Sequence, residues 1–315
     1  MKHIRQNELT AGDLDHSVVT IGNFDGVHRG HQQVLRRLRN AADRAGLPAI
    51  AITFEPHPVR VLHPEKGLKL IHTYATRADL LARAGIDMLV TAEFTPELAQ
   101  TPAEKWVVEV LVDLLRADSL IIGYDFTFGR GNDGDANNLI KLGREYGFKV
   151  DQVPALVVDG RPISSSRIRR LIEAGEIAIA NNLLGRPFHL QGEVVHGDGR
   201  GHNLGFPTAN IKVDAEILPH VGVYGAVAIV NDHLIPTALS VGHNPTFDYA
   251  DLRVEAHLLD FDEDLYGKRM ELHLLRRLRD EIKYDSVDRL IAAIQRDVSH
   301  VRQLFRDQTP EDWLR

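Results

Sequence analysis

Between residues 17 and 124 four short apolar runs alternate with segments of helical period, and this alternation restricts the fold more than any other feature of the chain. Residues 17–21, 48–54, 86–94 and 119–124 are too short for buried helices and read as buried strands. Between them Val34, Leu35, Leu38 and Ala42 share one helical face. Trp106, Val110, Val112 and Leu115 keep helical spacing after a Thr-Pro start. Strands and helices in turn predict an α/β domain, doubly wound, with a parallel sheet covered by helices.

Past Gly185-Arg186-Pro187 the texture changes. "GVYGAVAIVNDHLIPTALSVG" reads as two strands around an Asn231-Asp232 turn. In "RVEAHLLDF" Val254, Ala256 and Leu258 take one face, and Arg253, Glu255 and His257 the other. "RMELHLLRRL" alternates as well. Ser286 then precedes a helix carrying Leu290, Ile294, Val298, Val301 and Phe305. The second half is therefore expected to be a small antiparallel sheet or β-barrel with a C-terminal helix. Two domains follow, 1–185 and 186–315.

Several function classes are disfavoured by composition. With 37 Lys and Arg against 44 Asp and Glu, the chain carries a net charge of -7, which argues against general nucleic-acid binding. No apolar run reaches membrane-spanning length, and residues 1–10 lack a signal-peptide core, so no membrane association and a cytoplasmic location are expected. The chain has no cysteine, which excludes disulfides and thiolate metal sites.

The chemistry concentrates first in "IGNFDGVHRGHQQVLRRL", residues 21–38. Gly30 and His31 fall where the first helix begins, directly after a strand. Free backbone N–H groups and the positive end of the helix dipole make that place a phosphate site. Glycines let the backbone approach, and the imidazoles of His28 and His31 can donate to phosphate oxygens as charge builds on them. With 16 histidines in the chain, His-x-Gly-His alone carries little weight; its position between strand and helix supplies the weight.

"GNFDGVHRGH" resembles the signature of the HxGH nucleotidylyltransferases, in the form found in prokaryotic bifunctional riboflavin kinase/FAD synthetases. Further resemblance lies in "TFEPHP" (53–58), "GYDFTFG" (123–129), "ISSSRIR" (163–169), "LGFPTANI" (204–211), "GVYGAV", "VGHNPTF" and "VEAHLLDFDEDLYG". Together these motifs span nearly the whole chain. The resemblance implies an HxGH nucleotidylyltransferase domain followed by a β-barrel flavokinase domain. It implies that riboflavin is phosphorylated by ATP to FMN in the second domain, and that FMN is adenylylated by a second ATP to FAD in the first.

The resemblance also implies roles for residues. Gly22, Asn23, Phe24, Asp25, His28 and His31 would hold nucleotide, as would Ser165, Ser166 and Arg169, with Ser166 standing where the family usually has threonine. His57, Asp125, Phe126 and Phe128 would border the flavin, although aromatics at the spacing of "GYDFTFG" are more often core. In the second half Gly201, His202, Gly205, Thr208 and Asn210 would meet ATP, with Thr208 and Asn210 also holding Mg2+. His202 replaces the family's common arginine, which makes its phosphate contact weaker or pH-dependent. Alternation alone leaves Glu255 on a solvated face; the resemblance makes it the catalytic base for the ribityl hydroxyl. Two other readings remain open here: another phosphate-bearing acceptor for the first domain, and a second domain that binds flavin without catalysis.

Overall fold

The computed structural model describes residues 1–197, 201, 204–243 and 252–314. The chain divides into two compact units, Met1–Ser165 and Ser166–Arg315.

The first unit is built on six strands: β1 (Lys2–Arg5), β2 (Ser17–Ile21), β3 (Ala49–Glu55), β4 (Met88–Glu93), β5 (Ala117–Gly123) and β6 (Lys149–Val153). They lie in the order β1-β4-β3-β2-β5-β6, every neighbour pair parallel. Both faces are covered, which is why all five residues of β2 are buried. One face packs Val19, Ile50, Ile52 and Leu120 against a first core cluster; the other packs Val18, Ala49 and Ala51 against a second. The helices are α1 (Arg29–Ala45), α2 (Pro58–Leu62), α3 (Tyr74–Arg83), α4 (Pro96–Ala99), α5 (Ala103–Trp106) and α6 (Ala136–Tyr146). A two-stranded hairpin, β7 (Val157–Val158) with β8 (Arg161–Pro162), follows the sheet.

α1 buries the four residues expected from its period, Val34, Leu35, Leu38 and Ala42, and ends at Gly46, whose φ of 66° stops the helix. The expected helix around residue 106 differs. Beyond Trp106 the backbone runs as a π-helix over Val107–Leu114, and Val107, Val110 and Leu111 are the residues it buries. Val112 is partly buried and packs against the first core cluster. β1 escaped the sequence reading because, at the sheet edge, only Ile4 is even partly buried.

Two helices, α7 (Ser165–Glu173) and α8 (Ile177–Leu184), precede a closed barrel. Its strands are β9 (Phe188–Val195), β10 (Ala209–Val213), β11 (Gly222–Val230), β12 (His233–His243), β13 (Leu252–Leu258) and β14 (Arg269–Arg279). They close in the order β10-β13-β12-β11-β14-β9, all antiparallel. Asn231 and Asp232, both with positive φ, make the tight turn between β11 and β12. α9 (Val287–Leu304) is capped by Ser286 and lays Val301 and Val298 on Ala238 and Leu259. It also buries Asp297, which accepts a forked pair of hydrogen bonds from Arg279 at 2.9 and 2.8 Å, where the pattern pointed to apolar residues alone. A last short helix, α10, spans Pro310–Leu314.

The division at Ser165/Ser166 precedes the break at Gly185-Arg186-Pro187 because α8 belongs with the barrel. Asn181 donates to the carbonyls of Leu274 (2.8 Å) and Leu275 (3.3 Å) and accepts from Phe188 N–H (2.7 Å). A fragment starting at residue 187 loses all three bonds, each worth about 1 kcal/mol. We expect the 166–315 fragment to melt above the 187–315 fragment by several degrees in circular dichroism. Equal melting temperatures would show that α8 adds nothing to the barrel.

Candidate functional site

Parallel sheets bind ligands at the carboxyl ends of their strands, where the strand order reverses. Here the reversal lies between β2 and β5, and both strands end in a motif singled out above. After β2 the chain makes a cramped turn: Phe24, Gly26 and Val27 all have positive φ, at 49°, 82° and 39°. Strain of this kind persists only where the surroundings over-determine it. Asp25, 2% exposed, accepts from Ile71 N–H at 2.9 Å, its own carbonyl accepts from the Ser165 hydroxyl at 2.9 Å, and Gln32 donates to Val27 O. A Cβ on Gly22 would come within 3.1 Å of the Phe24 ring, so only glycine fits there comfortably.

The turn delivers His28 to the N-terminus of α1 as its cap. His31 N–H donates to His28 Nδ1 at 3.3 Å, and the two rings stack with centroids 3.7 Å apart. An Nδ1 that accepts leaves the hydrogen of the neutral ring on Nε2, so the cap fixes which nitrogen donates. His31 in turn meets the edge of Phe24 at 5.4 Å. Gly30 suits this stack, since a Cβ would stand 3.1 Å from the His28 ring and press on it. Phe24 is 2% exposed, and its backbone N–H finds no acceptor among the described residues. A buried donor of that kind, in the turn that leads into the N-terminus of α1, suits a phosphate.

β3 repeats the device on the other side of β2. His57, 5% exposed, caps α2 by accepting Val59 N–H at its Nδ1 (3.2 Å). β5 releases Tyr124, Asp125 and Phe126 at the same edge, with Asp125 exposed. Partial burial, then the neighbouring Asp125 carboxylate, push the Tyr124 hydroxyl above its usual range. Phe126 and Phe128 stack on each other at 5.5 Å and pack on the core, Phe128 against Trp106. Their rings are thus part of the packing under the edge. Ser166 is exposed on the first turn of α7, where its hydroxyl accepts from Arg169 at 3.3 Å.

On the barrel, pairing register places the second group. Asn210 of β10 stands directly opposite Glu255 of β13, and Ser240 of β12 stands opposite Glu255 on its other side. Val254, Ala256 and Leu258 are buried, so Glu255 takes the alternate face with His257. His257 Nδ1 lies 2.8 Å from the Pro207 carbonyl, tying β13 to the segment that leads into Thr208. Thr208 and Asn210 offer neutral oxygens, the hard donors that Mg2+ takes while keeping waters and borrowing phosphate oxygens. The fit is close: a Cβ on Gly197 would strike the Asn210 amide, and one on Gly201 would lie 3.2 Å from Thr208 Oγ1. Gly201 is pinned by Phe206 N–H, which donates to its carbonyl at 2.9 Å, and Gly205 lies in the turn before it with φ 81°. His202 lies outside the described residues.

Beside this group opens a cleft of about 1030 Å³ between Phe206, Pro207, His257, Leu259, Asp260 and Phe261 and the face of α9 carrying Val298, Ser299 and Arg302. Arg302 donates to Asp260 across it at 2.7 Å. Sequence reasoning missed this wall of α9, because the residues are ordinary for an exposed helix and only barrel closure brings them near β13. It also missed Arg77 of α3, buried at 1% and bonded to the Asn23 carbonyl and to Glu55. A cation four residues before Leu81 on an apolar stripe was the available signal.

The chain thus carries a doubly wound parallel sheet followed by a closed antiparallel barrel. The family model described as FAD synthetase matches residues 11–167, and that described as riboflavin kinase matches residues 184–305. A bifunctional riboflavin kinase/FMN adenylyltransferase of Escherichia coli (strain K12) is 35% identical over 307 residues, covering 97% of this chain and 98% of that protein. One from Listeria monocytogenes is 36% identical, covering 91% and 92%. A solved structure from Streptococcus pneumoniae, described as a macrolide-efflux protein, is 33% identical with a TM-score of 0.88, covering 96% of this chain and 99% of that one. Among the described residues no helix is long and apolar enough to cross a membrane. The chain belongs to the bifunctional riboflavin kinase/FMN adenylyltransferase family. Its activities are the phosphorylation of riboflavin to FMN and the adenylylation of FMN to FAD, both with ATP as co-substrate.

Proposed function

We propose that the two reactions run at the two groups of residues described above, one on each unit. The supporting observation is that His28, His31 and His57 stand on the sheet edge of the first unit, and Thr208, Asn210 and Glu255 on the barrel of the second.

In the kinase step riboflavin occupies the cleft between β13 and α9, with its ribityl chain directed toward Glu255. The Glu255 carboxylate takes the proton of the 5′-hydroxyl as that oxygen attacks the γ-phosphorus of ATP, and ADP leaves. Thr208 and Asn210 hold Mg2+, which supplies charge neutralisation at the phosphates when bound. Gly201, Gly205 and, from the family resemblance, His202 contact the nucleotide. A second domain that only binds flavin is disfavoured, since Asn210 and Glu255 are held opposite each other as a transfer site needs.

In the adenylyl step an oxygen of the FMN phosphate attacks the α-phosphorus of ATP, and pyrophosphate leaves. The backbone of residues 22–25 and the imidazoles of His28 and His31 donate to the phosphate oxygens, while Ser165 braces that turn through the Asp25 carbonyl. His57, Asp125 and Phe126 border the flavin, and Phe128 supports them from the core. No protein nucleophile is required in either step. The proposed location is the cytoplasm, which supplies the ATP that both steps consume. Incubation with riboflavin, ATP and Mg2+, followed by chromatography, tests this order: FMN should rise and then decline as FAD accumulates. FAD without transient FMN from an enzyme given limiting ATP would contradict release of FMN between the centres.

A further inference from the structure

Among the described residues the largest fully buried side chain carries a charge. Arg77 of α3 is 1% exposed, and its guanidinium donates to the Asn23 carbonyl at 3.1 Å and to Glu55 Oε2 at 2.7 Å. The Tyr74 ring lies under it at 5.4 Å, and the Tyr74 hydroxyl is held by Thr91 at 2.6 Å. Taking a guanidinium out of water is costly, and its carboxylate partner Glu55 stays partly exposed, so packing alone does not account for a cation here.

Its acceptors suggest what it does. Asn23 belongs to the phosphate turn after β2, and Glu55 is the last residue of β3, two before His57. One planar fork therefore joins the two loops. The Asn23 carbonyl also accepts from Thr53 Oγ1 at 3.4 Å. Two donors draw that carbonyl into the protein, and the peptide that follows is trans. In a planar trans peptide the N–H points opposite to the carbonyl, so the Phe24 N–H is turned away from Arg77. That N–H is the buried donor without an acceptor among the described residues.

We propose that Arg77 is a positioning residue for adenylyl transfer: it orients the Asn23–Phe24 peptide so that the Phe24 N–H is presented to a phosphate of ATP, and it ties this turn to the His57 loop through Glu55. The proposal rests on reading the turn as the nucleotide site. Lysine keeps the charge but is a point donor without the fork, so it cannot hold both acceptors in the same geometry.

Arg77→Lys in the full chain should lower kcat for FAD formation from FMN roughly tenfold to a hundredfold, with KM for ATP moving less than threefold. Riboflavin phosphorylation by the same protein should be unchanged. The Phe24 amide resonance, followed by NMR, should shift on adding ATP to the unsubstituted protein and shift much less in Arg77→Lys. Equal shifts in both proteins, or an unchanged kcat, would overturn the role of Arg77. No shift even in the unsubstituted protein would instead overturn the reading of the turn. If Arg77→Lys melts below the assay temperature, Glu55→Gln at the half-exposed end of the pair carries the test. A severalfold loss of kcat is then expected, and full activity overturns the proposal.

Discussion

His28→Ala should depress FAD formation from FMN by two to three orders of magnitude while leaving riboflavin phosphorylation intact, so that FMN accumulates. Removing one preorganised donor aimed at developing charge typically costs about 3 kcal/mol. The same substitution also removes the cap of α1, since His28 Nδ1 accepts His31 N–H, and that loss adds about 1 kcal/mol of instability. The two effects separate with His28→Asn. Asparagine is a good cap, so it should restore the melting temperature without restoring adenylylation. Activity recovered along with stability would show that His28 acts only as a cap.

Glu255→Gln is expected to have the converse effect. It keeps the shape of the residue opposite Asn210 but removes its basicity. Loss of a general base typically costs two to four orders of magnitude in rate. Riboflavin should therefore remain unphosphorylated, whereas added FMN should become FAD at nearly the normal rate. Glu255 sits on a strand whose buried face is Val254, Ala256 and Leu258, so the substitution should leave the barrel melting temperature within a degree or two. Measurable riboflavin phosphorylation at more than a tenth of the normal rate would remove Glu255 from the role of base.

The residues legible in sequence were those whose partners lie nearby along the chain. β2 could be read because a strand covered on both faces is apolar throughout, and α1 because its buried residues recur with the helical period. The turn that leads into α1 was legible for the same reason, since glycines 22, 26 and 30 and histidines 28 and 31 fall within ten residues. What could not be read depends on remote neighbours. The opposition of Asn210 and Glu255 arises from antiparallel register across 45 residues of chain, and alternation alone fixed only the face of Glu255. The wall of α9 beside the cleft exists only once the barrel closes. Along the π-helical turn after Trp106 the structure buries Val107 and Leu111, which the sequence reading left out, while Val112 is only partly buried. Arg77 was hidden by its type: a cation on a helix reads as solvated until Glu55 and Asn23 are found around it. Phe126 and Phe128 show the opposite case, in which a motif's aromatics lie at the functional edge and still pack on the core.

The central claim is that two independent centres, one per unit, act in sequence on a flavin released between them. Complementation tests it most directly. His28→Ala and Glu255→Gln proteins are mixed in equal amounts with riboflavin, ATP and Mg2+, and the flavins are resolved over time. Neither variant alone should produce FAD from riboflavin, and the mixture should do so, through free FMN made by the first and consumed by the second. A mixture that yields no FAD from two folded proteins, or either variant losing both activities, would contradict the account.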